Sequence, residues 1–301
     1  SVADATLNFL TAGETLTLTY DAVVNNNYAP LDQLATDPFT ITINALGSVE
    51  WIHPTGGLWS VGSNWSSGSV PTATDDAIIP SQNIPGGSGL YDVIIQTPAV
   101  ARNLTLNAND TTGGQVSNES TLTIGEVLTV LNNGVLDNSI SATVSVGQKI
   151  ELLDQSSLQN SGLITLGQGG DFEDSSSVTN SGTIEIAGGT LSVQVNITNS
   201  SGVINIDDGA TLALSGATIN GGTIIDGTAI QTNSPVFGNI DVTGSSAISN
   251  ASLNDGVVTV ANDVTLTLDG DTVSGTTFID TASGATIQID GGTFLTLTGA
   301  T

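Results

Sequence analysis

The feature that most constrains this chain is a period. Gly162, Gly182, Gly202 and Gly222 stand 20 residues apart, and each precedes a short apolar run: LITL, TIEI, VINI and TIID. A unit that short cannot bury its own apolar face, so successive units must stack into one continuous core. Thr, Val, Ile, Ser, Gly and Asn dominate these stretches, which favours strands and turns over helix. At roughly 3.3 Å per residue, one unit makes a coil of about 65 Å perimeter, long enough for three faces. The expected fold is an all-β parallel solenoid. Each glycine is expected to form a corner with positive φ. Each following strand should lie on its counterpart in the next coil, about 4.8 Å away. Stacked Asn and Thr would add hydrogen bonds along the axis.

The register follows from the offset. Val203, Ile204 and Ile206 are expected to stack on Thr183, Ile184 and Ile186. Alternation along a strand then turns Ile184, Ile186, Ile204 and Ile206 into the core. Beyond Gly222 the spacing loosens. Gly256, Gly275 and Gly292 precede VVTV, TTFID and TFLTL, which predicts inserted loops around 229–252. Nine-residue GGxGxD turns and an LxxLxL frame are both absent, so neither a calcium roll nor a leucine-rich solenoid fits. A right-handed hand is expected from the general crossover rule.

Charge excludes several functions. Arg102 and Lys149 are the only strong cations against 29 carboxylates, for a net charge of −27. Such a chain repels phosphate polymers and anionic membranes, so no nucleic-acid partner is expected. No apolar run approaches the ~18 residues of a membrane span, and no basic start leads into an apolar core. The absence of Cys removes disulfides and thiolate metal sites. The chain does not begin with Met, and a piece of a longer or processed polypeptide is expected.

Two segments precede the repeats. In 1–48, ETLTLTYDAVV and FTITINAL alternate with period two, as half-buried antiparallel strands do. The stretch SVADATLNFLTAGETLTLTYDAVV with the closing FTITINALGS resembles the C-terminal half of a VCBS repeat, a bacterial β-sandwich module. NNNYAPLDQLATDP replaces that family's short hairpin. The resemblance implies a partial sandwich with open edges. Residues 49–80 hold Trp51, Trp59 and Trp65, in VEWIHPTGGLWSVGSNWSSGSVPTATDDAIIP. This pattern is similar to the segment that opens β-helical passenger regions of bacterial adhesins and autotransporters, and it supports the right-handed assignment. Three large aromatics suit a cap over an open solenoid end. A sugar-stacking platform is the alternative. Residues 81–301 are assigned to the β-helix.

Candidate chemistry is sparse. A β-helical lyase needs cationic groups near its base, yet Lys149, Arg102 and His53 are scattered. A glycosidase needs two carboxylates. Glu173 with Asp174, Asp207 with Asp208, and Asp269 with Asp271 are the pairs available, each beside turn residues. Calcium is the ligand the composition best accommodates. Asp269 and Asp271 in DGDT are the first candidates, with Asp207 and Asp208, and Asp75 and Asp76, behind them. Sequons at Asn103, Asn196 and Asn199 arise readily in an Asn/Thr-rich chain. The expected role is a secreted, extracellular structural one: a rigid adhesin stalk or a self-assembling fibre subunit at a bacterial surface, with no catalysis. Its partners would be flanking domains or neighbouring protomers, joined head to tail by strand complementation, or a glycan or surface target. A carbohydrate-binding or carbohydrate-cleaving β-helix is the alternative.

Overall fold

The structure is a computed structural model that describes residues 15–25, 34–44, 47–81, 91–109, 112–227, 238–280 and 282–296. Among these residues there is no α-helix, and the one helical turn is a 3-10 segment, Gly62–Asn64. Among the described residues no helix is long and apolar enough to cross a membrane.

From Ser48 onward the chain is a right-handed parallel β-solenoid with three faces. Face one runs from Ser48–Glu50 and Asp76–Ile79 to Thr277–Ile279. Face two runs from Gly57–Leu58 and Tyr91–Ile95 to Thr286–Ile289. Face three, a sheet of 10 strands, runs from Ala99–Ala101 to Phe294–Thr296. Asn103–Asn109 also pairs antiparallel with Thr112–Asn118 across Ala108 and Gly113, linking faces one and two.

Register follows the 20-residue offset. Thr183, Ile184 and Ile186 lie on Val203, Ile204 and Ile206, and Leu163–Leu166 lies on Thr183–Ile186. Ile184, Ile186, Ile204 and Ile206 are at most 1% exposed, because period-two alternation sends every second side chain into the bore. The core they join is continuous from Val49 to Val273.

Three expectations change. The solenoid does not wait for residue 81: Ser48–Glu50 pairs in parallel with Asp76–Ile79, which pairs with Asn103–Asn109. The segment 49–80 thus supplies the first rungs as well as the tryptophans, because both of its ends carry inward apolar residues, Val49 and Ala77, in register. The loosened region is narrower than 229–252. Asn239–Gly244 lies on Thr211–Ser215 and Ser246–Ser249 on Thr218–Asn220, so regular coiling is already restored by 239. The expected loop positions 229–237 fall outside the described residues. Within 1–48 the described structure is one antiparallel ribbon, Thr15–Asn25 against Leu34–Asn44. The second strand therefore begins inside the stretch read as loop, and Pro38 sits in it opposite Asp21. A two-stranded ribbon has only edge strands, where proline is tolerated.

The glycines also act differently from expectation. Only Gly222 of the four has positive φ, at 68°. The others are required by close approach. A Cβ on Gly182 would lie 2.1 Å from the Gly162 carbonyl oxygen, and one on Gly162 would lie 2.2 Å from that of Ala142. Stacked coils bring backbone onto backbone at this corner, and a methyl group has no room.

Candidate functional site

The inner wall of that corner is a ladder of amides. Asn118, Asn138, Asn160, Asn180 and Asn199 are buried, each at or just after the end of a face-two strand. Each Nδ2 donates to the Oδ1 of the next, at 2.8 Å for Asn118 to Asn138, Asn138 to Asn160, and Asn160 to Asn180, and 2.7 Å for Asn180 to Asn199. The second amide proton reaches a backbone carbonyl, as from Asn160 to Thr183 at 2.9 Å. An amide carries both a donor and an acceptor, so a column of them satisfies itself indefinitely. A second, smaller column joins Ser156 to Ser176 at 3.2 Å.

The tryptophans sit at the N-terminal end of the solenoid. Trp51, Trp59 and Trp65 are 0%, 4% and 1% exposed. Trp65 stands edge-on to Trp51 at 5.1 Å and to Trp59 at 4.6 Å. Its indole N–H donates to the Trp59 carbonyl at 2.8 Å, and that of Trp51 donates to the His53 carbonyl at 2.9 Å. Edge-to-face packing consumes the ring faces. Buried indoles offer no platform on which a sugar can stack.

The ionisable candidates do not converge. Arg102 pairs with Asp76 at 2.6 Å, Lys149 with Glu151 at 2.5 Å, and His53 is exposed beside Trp51. Asp76 also accepts from Asn103 Nδ2 at 2.8 Å, which engages the first sequon asparagine. Asn199 belongs to the ladder, while Asn196 is exposed. Asp269 is exposed, but Asp271 turns inward and is fully buried. Its Oδ1 accepts the Ala251 N–H at 2.8 Å and its Oδ2 the Asp269 N–H at 2.9 Å. Burial pushes its carboxyl up to about 6 against these two hydrogen bonds. Asp269 and Asp271 therefore do not present two carboxylates to one ligand. Asp207 accepts from Asn205 Nδ2 at 2.8 Å and is raised by burial and then by Glu185, while Asp208 points to solvent. Glu173 is half-buried and Asp174 occupies a corner with φ 54°. Among the described residues no three His, Asp or Glu side chains gather as a metal site.

Face two carries a concave surface. A shallow cleft of about 420 Å³ is lined by Thr198, Thr218, Asn220, Ser249, Asn250 and Asp269. It shares Thr218 with a cleft of about 250 Å³ and Asn196 with one of about 440 Å³. The three form one groove along the axis, made where face two narrows to Ile197–Thr198. Hydroxyls and amides line it, with Asp269 its single carboxylate. This surface can hydrogen-bond a neutral polar ligand. General acid–base cleavage of a glycosidic bond needs a second carboxyl group, and none of the lining residues supplies it.

The 20-residue repeat predicts amide ladders without fixing their members. The signal was the Asn two residues before Gly162 and Gly182, in NSG. No family model, curated protein or solved structure matches this chain.

Proposed function

We propose that this chain is an extracellular structural rod, a rigid stalk of a bacterial surface adhesin or a subunit of a fibre. The observation that carries this reading is the axial continuity of the solenoid. One core and one buried amide column run through successive coils, so bending would break hydrogen bonds inside the bore. Ten strands at ~4.8 Å make a rod of roughly 45 Å on face three. The acidic surface and the VCBS-like sequence of 1–48 support an extracellular setting. In the last described coil, Phe278, Ala285 and Ile287 are only partly buried and Phe294 is 72% exposed. A β-layer from a neighbouring chain would cover them. X-ray scattering and electron microscopy of the purified chain test the reading. A stiff rod, or rods joined end to end, is expected; a flexible or compact particle overturns it.

The face-two groove favours a second reading, a stalk that also holds a neutral glycan. Glycan-array retention, lost when Thr218→Trp fills the groove, would favour this second reading. Release of reducing ends from a polysaccharide would instead indicate an enzyme.

A further inference from the structure

The polar groups turned into the corners change character along the axis. From Asn118 to Asn199 they are amides and serine hydroxyls, which have no charge to gain. Asp226, at the end of the face-three strand Thr223–Asp226, is a carboxyl with no exposed surface. It lies under the corner of the next coil. Its Oδ2 accepts the Val257 N–H at 2.8 Å, and its Oδ1 is buried with no hydrogen-bond partner among the described residues. Two glycines make room for it. A Cβ on Gly238 would stand 2.4 Å from Oδ1, and one on Gly256 would stand 2.1 Å from Oδ2. The charged group acting on it is another acid, Asp255 of the next corner, and no cation opposes the pair.

We propose that Asp226 is a pH-sensitive latch between its own coil and the next, closed when the carboxyl is neutral and loosened when it ionises. A buried carboxylate with one hydrogen bond and an acidic neighbour is costly, and protonation removes the charge and adds a donor. Burial first, then Asp255, raises this carboxyl to about 7, against the Val257 hydrogen bond. That value lies above the ~3.9 of an unfolded Asp. The stabilisation is therefore fully present below pH ~4 and is lost as pH rises through about 7. Coils held by asparagines carry no such dependence.

Hydrogen exchange of the whole chain between pH 5 and pH 8, corrected for intrinsic rates, tests this. Strands Asn239–Gly244 and Val257–Val260 should lose about tenfold or more in protection, one pH unit of linkage being tenfold. Strands Thr143–Val146 to Thr183–Ile186 should not change. Asp226→Asn should abolish most of the difference. A uniform response along the axis, or a full response retained in D226N, overturns the proposal. Should D226N fail to fold, carboxyl NMR of the unaltered chain decides: an Asp226 resonance titrating near 7 supports the latch, and one titrating below 5 overturns it.

Discussion

Replacing Asn160 by Ala should cut the amide column at its centre. Asn160 Oδ1 accepts from Asn138 Nδ2 at 2.8 Å and from the Gly162 N–H at 3.2 Å. Its Nδ2 donates to Asn180 Oδ1 at 2.8 Å and to the Thr183 carbonyl at 2.9 Å. After truncation Asn138 keeps its bond to the Leu163 carbonyl at 3.1 Å. Asn180 Oδ1 and the Gly162 N–H lose the only partners they have. A buried group left unsatisfied costs about 1–3 kcal/mol, so two give about 2–6 kcal/mol, with about 4 as the central value. At about 2–4 °C per kcal/mol for a chain of this size, the melting midpoint should fall by about 8–16 °C. Calorimetry and circular dichroism measure it. Because coils couple only to neighbours, the transition should also broaden or split. Asn160→Asp sharpens the test. Ionised, it has no proton to offer Asn180 Oδ1 or the Thr183 carbonyl; protonated, it regains one. Its defect should be larger at pH 7 than at pH 4. Asn220→Ala is the control, because Asn220 is exposed and its side-chain Oδ1 accepts from the exposed Asn250 amide at 3.2 Å; it should stay within about 0.5 kcal/mol. An Asn160→Ala midpoint indistinguishable from that control would refute the ladder as a source of stability.

Three further outcomes follow from the same packing. Ile204→Asp places an unpaired charge among Ile184, Ile224 and the rest of the bore and should cost several kcal/mol, read as a collapsed denaturant midpoint. Gly182→Ala should destabilise by more than the ~1 kcal/mol typical of point changes, because its Cβ would meet the Gly162 carbonyl; unchanged melting would show that the corner yields. Trp65→Ala removes the indole shared by the other two and should cost about 3–5 kcal/mol. Quenching by added iodide should rise for the remaining tryptophans, and unaltered quenching would place them elsewhere.

Much of this fold was legible because its signal is local and repeated. A 20-residue offset dictates which strand lies on which, and period-two alternation then places Ile184 and Ile204 inside without reference to anything distant. The need for glycine at 162, 182 and 202 was legible too, although its reason was not. Positive φ is a property of one residue, whereas the 2.1 Å approach of Gly182 to Gly162 belongs to two stacked coils. The same division separates the acids. Asp269 and Asp271 are equivalent on paper, two carboxyls flanking one glycine. Stacking on the preceding rung turns Asp271 onto the amides of Ala251 and Asp269 and leaves Asp269 in solvent. Nothing in TIID marks Asp226 as buried, since only the corner above it encloses the carboxyl. Sequence by itself determined the period, the register and the inward face, which depend on spacing along the chain. Only the tertiary structure decided which polar side chains were buried and what state they must adopt, because burial depends on what the neighbouring coil lays over them.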